Sequence, residues 1–318
     1  MGFPQAWRAA NPGHRYERLT DANAETWARA WRESGLGEEE DDDVADLFAG
    51  LHDPILRADL LRYMVMAREG GVWADVDVYP HRSIASWIPA GFRERSEEED
   101  EQQRQQQQLK KGDGEGGEKG PGNATAVVNL VVGIENDHHG RPIWPGSPYS
   151  VQLAQYVMLA KPGHPALLAA LNRACANLRA LLEAKKVQGR PQTQAKAQAQ
   201  TQNAAAAAAA ELEGLGFDRR RRRGGSAGMM ITFEDVMKTT GPFVFTRALM
   251  EYFGQVTGTV HTGDELRGLR EPVLIGDVLV LPRDSFGWLP DKHTHPKGHH
   301  SILVEHLFMG SWRDTHPG

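Results

Sequence analysis

A single cysteine, Cys175, stands in the whole chain of 318 residues. With one thiol there is no internal disulfide and no thiolate zinc cluster, while the compartment stays open. Positive charge is in deficit as well, since 36 Lys and Arg against 42 Asp and Glu leave a net charge of −6. That balance argues against a nucleic-acid binder or an anionic-membrane binder. No apolar run reaches the length that spans a bilayer, and the opening "MGFPQAWRAANPGHRY" lacks the apolar core of a signal peptide. A Gly-x-x-x-x-Gly-Lys-Ser/Thr phosphate loop is missing too, so a phosphate substrate would have to be met by another device. Apolar residues, at 40%, and eight tryptophans are enough to fill the core of one large α/β domain.

Two stretches depart from globular composition. Residues 94–122 are charged and rich in Gln and Gly, and residues 185–228 hold an alanine tract, Ala204–Ala210, and five consecutive arginines, Arg219–Arg223. Segments of this kind bury too little apolar surface to order themselves, so both are expected as disordered surface insertions in a single domain over 1–318. Its low-complexity flanks make the arginine run a solvated loop rather than a cationic patch. The remainder alternates helical and extended patterns, which predicts an α/β sandwich. Strands are expected over 126–135, 277–282 and 301–308, and helices over 150–160 and 165–184. The best-marked helix follows Asp53, a capping residue, takes Pro54 in its first turn and stops at Gly70. Its stripe of Leu56, Leu60, Met64 and Ala67 faces the core, while Asp59, Arg62 and Tyr63 fall beside one another at helical spacing.

That helix runs into "GGVWADVDVYP", residues 70–80. If the stretch is extended, Trp73, Asp75, Asp77 and Tyr79 share one face, with same-side positions about 6.5–7 Å apart. Two flexible carboxylates at that separation can converge on one divalent cation. A calcium loop of the EF-hand type fails, because Pro80 stands where a glycine is needed and Ser86 where a bidentate Glu is needed. The cluster of His293, His295, His299 and His300 has no supporting cysteine or carboxylate pattern and reads as a surface loop. Asn123-Ala-Thr is a glycosylation sequon beside the first insertion.

Taken in order, Arg57-Ala58-Asp59, Arg62-Tyr63, Gly70-Gly71 and Asp75-x-Asp77 resemble the signature of glycosyltransferase family 32. Its fungal members include initiation-specific α-1,6-mannosyltransferases of the Golgi. Further matches are "NPGHRYERLTD", "GIEND", "KPGHPALLAAL", "TGPFVFTRAL" and "VEHLFMGSWR". The resemblance implies a GT-A-like α/β sandwich with a central mixed sheet, and Mn²⁺ or Mg²⁺ held by Asp75 and Asp77 with His306 reaching the metal or the diphosphate. It implies a nucleotide-sugar donor, GDP-mannose, whose hexose Asp59 and Arg62 orient, with Tyr63, Trp73 and Trp312 lining the substrate pocket. Glu135 and Asp137 are flagged as acceptor-side carboxylates, one of them the nucleophile if the reaction runs by double displacement with retention. The acceptor implied is a glycan, or a glycolipid such as inositol phosphoceramide. A degenerate binder without turnover is the alternative from another class. Family members act at the lumenal face of the Golgi behind a membrane anchor and begin with an Ile-Pro-Lys-type strand. Neither stands before Trp7 here, so either the sequence starts late or the first strand is lost, and only the second case puts nucleotide affinity in question.

Overall fold

In the computed structural model, which describes residues 2–36, 44–93, 127–137, 147–188, 231–286, 302–310 and 313–316, the chain opens with helices α1 (Phe3–Ala10), α2 (Asp21–Ala30) and α3 (Val44–Gly50). Helix α4 (Pro54–Arg68) follows, with the Asp53 side chain accepting the Ile55 and Leu56 amides as its cap. Strands β1 (Gly71–Ala74), β2 (Val78–Pro80), β3 (Leu130–Asp137), β4 (Val151–Leu153) and β5 (Val157–Ala160) come next. Then come α5 (Pro165–Gln188), α6 (Phe233–Thr239), α7 (Pro242–Thr257), β6 (Val273–Ile275), β7 (Val278–Leu281), α8 (Arg283–Phe286) and β8 (Val304–His306).

The central sheet runs β1-β5-β3-β7-β6, with β4 also on β3. Only β3 and β7 pair in parallel, so the sheet is mixed, while β2 and β8 form a separate antiparallel ribbon. Alternation along β3 explains the two layers of core. Leu130, Val132 and Ile134 pack with α4, α5 and α7, and Val131 packs on the other side with Trp7, Trp87 and Phe286. Gly133 is fixed by that second layer, because a Cβ there would lie 2.7 Å from the Phe286 ring. Both faces of β7 are buried, as a strand covered on both sides requires. This is the mixed-sheet α/β sandwich anticipated for a GT-A-like chain.

Three expectations need correction. Residues 150–160 form β4 and β5 rather than a helix. The stretch is buried on both faces of the sheet and shows no strict alternation of apolar and polar residues, a pattern that periodicity alone cannot separate from a buried helix. Helix α5 continues to Gln188, past the expected start of the second insertion at Lys185. The third concerns the acidic pair. Residues 73–79 are not one strand: β1 ends at Ala74, the Val78 N–H donates to the Asp75 carbonyl at 3.1 Å to close a turn, and β2 starts at Val78. The turn is needed because β1 belongs to the central sheet and β2 leaves it to pair with β8. Residues 94–122, 189–228, the sequon and the histidine cluster lie outside the described residues. No described helix is long and apolar enough to cross a membrane.

Candidate active site

Strand β1 runs in the same direction as β3, since both pair antiparallel with β5. Asp75, just past β1, and Glu135, late in β3, therefore sit at the carboxyl ends of two like-directed strands with β5 between them, the edge where open α/β sheets bind ligands. Gly70 and Gly71 make the passage from α4 to β1, with φ of +65° and +84°. A Cβ at Gly70 would lie 2.6 Å from the Ala160 carbonyl oxygen, so glycine is required there on two counts.

Arg62 organises the buried half of the site. Its Nη1 donates to Asp59 Oδ1 at 2.6 Å, and its Nη2 donates to both oxygens of Asp75 at 2.9 and 3.0 Å. Trp73 lies against the same group, with the guanidinium carbon 5.4 Å from the ring centroid and Nε1 donating to Asp75 Oδ1 at 2.6 Å. Asp59 is buried, and its second oxygen accepts from the Thr240 hydroxyl at 2.8 Å while Gln155 Nε2 reaches the first at 3.3 Å. Burial pushes the Asp59 carboxyl up in pKa against the pull of Arg62. Burial also works against the Arg62 charge, but Asp75 and Asp59 raise its pKa above the ordinary guanidinium value, so it is a permanent cation. Arg62 Nε is buried without a hydrogen-bond partner. Tyr63 is fully buried, its hydroxyl facing Gln155 Oε1 and the Thr240 carbonyl. It braces α4 against the start of α7 and has no surface to offer a substrate, which corrects its expected place in the pocket.

Asp77 lies beside this group, its side chain 13% exposed against 26% for Asp75. Its Oδ2 accepts the Met309 amide at 3.0 Å, its Oδ1 lies 3.3 Å from His306 Nε2, and its carbonyl accepts the Leu307 amide at 3.0 Å. Burial opposes ionisation, yet the bonds from His306 and Met309 hold the Asp77 carboxyl below the usual range. The His306 ring is stacked on Tyr156, with centroids 3.9 Å apart, and its Nδ1 is buried without a partner. Glu135 accepts from Gln152 Nε2 at 2.8 Å. Burial raises its pKa, and the fields of His306, Arg313 and Asp75 all reach it.

The structure thus brings Asp59, Arg62, Trp73 and Asp75 into one bonded group, with Asp77, His306 and Glu135 beside it. Asp137 is tied instead to the Gly268 amide, and Trp312 lies outside the described residues. Gln155, Thr240, Tyr156 and Gln152 were not foreseen. Thr240 opens the "TGPFVFTRAL" stretch, but nothing local marks it as a partner of Asp59, 181 residues away. Among the described residues no three His, Cys, Asp or Glu side chains form a metal cage. A Mg²⁺- or Mn²⁺-type site needs only one or two protein carboxylates when substrate phosphates complete it. An ionised Asp77 beside an imidazole with an orphaned nitrogen fits that demand. Asp75, with both oxygens engaged by Arg62 and Trp73, fits it less directly.

Residues 1–92 match the family described as a glycosyltransferase sugar-binding region containing a DXD motif. Over 320 residues the chain is 26% identical to an initiation-specific alpha-1,6-mannosyltransferase of Schizosaccharomyces pombe, covering 99% of this chain and 60% of the relative. It is 24% identical over 334 residues to a protein of the same name from Candida albicans, covering 99% of this chain and 67% of that one. A third, from Saccharomyces cerevisiae, is 21% identical over 337 residues, with 85% of this chain and 66% of the relative covered. The resemblance read from the motifs is borne out. The chain spans about 60% of the length of the first of these relatives.

Proposed function

We propose that this chain, whose first 92 residues carry a glycosyltransferase sugar-binding region with a DXD motif, is a metal-dependent hexosyltransferase that moves mannose from GDP-mannose to a glycan with retention of configuration. The observation that carries it is the bridge of Arg62 between Asp59 and Asp75, which fixes the first acid of the DXD motif beside an Asp77 held ionised by His306 and Met309. The unpartnered Nε of Arg62 supports it as well, being a buried cationic donor that the chain itself does not satisfy.

In the transfer, the bond between sugar C1 and the β-phosphate oxygen breaks and its electron pair stays on that oxygen. The acceptor hydroxyl oxygen bonds to C1, and the hydroxyl proton passes to the departing phosphate. A divalent cation held by Asp77, with His306 and Asp75 around it, would supply Lewis-acid stabilisation of the charge on the diphosphate. Asp59 and Arg62, too buried to touch the hexose, orient it through Asp75, which Trp73 also keeps in register. Glu135, with its raised pKa, stands on the acceptor side as a group able to hold a proton. Val76, Leu307 and Met309 are exposed around the Asp77 turn and favour an acceptor with an apolar portion, so a glycolipid is the second acceptor class. We place the reaction in the lumen of the Golgi, where the mannosyltransferases this chain resembles are expected.

The test is transfer and donor hydrolysis from a panel of nucleotide sugars, with and without Mn²⁺ or Mg²⁺, against free glycan and glycolipid acceptors. Asp77→Asn is expected to lower kcat about 10²- to 10³-fold, as loss of one charge-stabilising group does, while donor binding without metal changes little. Donor binding with no turnover in any condition would support a degenerate binder. An Asp77→Asn variant as active as wild type would overturn the proposal.

A further inference from the structure

The charge around Asp77 does not balance for a diphosphate. Arg62 is committed to Asp59 and Asp75, while Asp77 and Glu135 add carboxylates without a guanidinium of their own. A second cation lies on the C-terminal segment. Arg313 is exposed, its field reaches Glu135, and its side chain forms no ion pair or hydrogen bond with any described residue. Among the described residues it has a loose cation–π contact, 5.9 Å from the Phe233 centroid.

The backbone that carries Arg313 is held from both sides. On one side Met309 donates to Asp77, and the Gly310 carbonyl accepts the Arg313 amide at 2.9 Å. Gly310 has φ +54°, and a Cβ on it would lie 2.9 Å from Arg313 Cδ. The side chain therefore lies back over the residue next to the one bonded to Asp77. On the other side the Arg313 carbonyl accepts the His316 amide at 3.1 Å, and buried His316 Nε2 meets Asp53 Oδ2 at 2.7 Å. Asp53 caps α4, so the same helix that holds Asp59 and Arg62 also anchors Arg313.

We infer that Arg313 is a further binding residue of the transfer, the free guanidinium that meets the β-phosphate of the departing nucleoside diphosphate, with the Asp53–His316 contact as its positioning element. The inference rests on the transferase reading above. A planar guanidinium suits the task because it pairs with two phosphate oxygens at once, and it stabilises the charge that the breaking C1–O bond leaves on the diphosphate. Arg283, exposed on α8 and within electrostatic range of Tyr156, serves as the comparison, because it stands on a different element from the segment bonded to Asp77.

The experiment is calorimetric titration of the full chain with GDP and with GMP, both in Mn²⁺. Arg313→Ala is expected to weaken GDP binding about tenfold, the scale of one charge-assisted contact, and to leave GMP within about twofold. Arg313→Lys should fall between the two, and His316→Ala should weaken GDP in the same direction by less. Arg283→Ala should bind GDP like wild type. Wild-type affinity in Arg313→Ala, an equal loss for GMP, or an equal loss in Arg283→Ala would each overturn the role of Arg313. A wild-type chain that binds no GDP would instead refute the transferase reading on which it depends. Unchanged melting of Arg313→Ala, an exposed site, keeps folding out of the comparison.

Discussion

Removing Arg62 and replacing it are different experiments, because its side chain is buried between two carboxylates that would outlast it. Arg62→Ala leaves Asp59 and Asp75 without their cation and should cost about 3–5 kcal/mol of stability. Arg62→Lys keeps a charge but not the fork. A single ammonium cannot hold Asp59 with one nitrogen and both oxygens of Asp75 with another. We therefore expect Arg62→Lys to fold, to melt lower than wild type, and to lose about 10²-fold in kcat/KM through misplacement of Asp75. Steady-state kinetics with a thermal melt on the same preparation checks it, and a lysine variant of full activity would show that the bridge does not position the acid. The sequence placed Asp59, Arg62 and Asp75 on one candidate site. It could not show that Arg62 joins the two acids, because the geometry depends on where β1 stops and the chain turns.

Among the elements, the junction between α4 and β1 carries the most constraint per residue. The cap at Asp53, the proline after it and the glycine stop all lie within a few positions of the helix, so α4 was legible in full. The segment beyond Gly71 was not. A turn inserted between two short strands depends on β8, more than 220 residues later, drawing β2 out of the central sheet. The strands β4 and β5 were hidden for a related reason, as burial on both faces erases the alternation that marks a strand. The junction itself gives a sharp prediction. Gly70→Ala meets a positive φ and the Ala160 carbonyl together, and should lose about 1–3 kcal/mol. Gly91→Ala, at a site with nothing near a new Cβ, should stay within about 0.5 kcal/mol. Urea midpoints of the two variants decide whether the strain is real.

Across the whole molecule, the candidate site uses the carboxyl ends of β1 and β3, and a second polar cluster pins the opposite end. Asp277, just before β7, accepts from Tyr252 at 2.6 Å and faces His164 Nε2 at 3.3 Å through one oxygen, and accepts from Asn129 at 2.7 Å through the other. These residues come from α7, from the turn before α5 and from the start of β3, so the cluster ties the helical layer to the sheet. His164 Nδ1 accepts the Ala166 amide, which leaves its one proton on the nitrogen facing Asp277. Burial lowers the His164 pKa despite the pull of Asp277. Burial, with the bond to Asp277, pushes Tyr252 up to about 12. Burial opposes the Asp277 charge, yet Tyr252, Asn129 and His164 hold its pKa low. The signs come from linkage. A lowered His164 makes stability fall as pH drops below about 6.5, a lowered Asp277 adds a further loss below about 3.9, and a raised Tyr252 gives stability that is lost as pH climbs from about 10 to about 12. We expect His164→Gln to reduce the first acid limb and Tyr252→Phe to reduce the alkaline one, to which Tyr63 and Tyr156, also raised by burial, still contribute, read as urea midpoints against pH. Donor KM and kcat near neutral pH should stay within about twofold in both, because separated sites act independently. A Tyr252→Phe variant with an undiminished alkaline loss would remove the clamp from the account, and a collapse of kcat without loss of stability would mean that the two ends of the sheet are coupled.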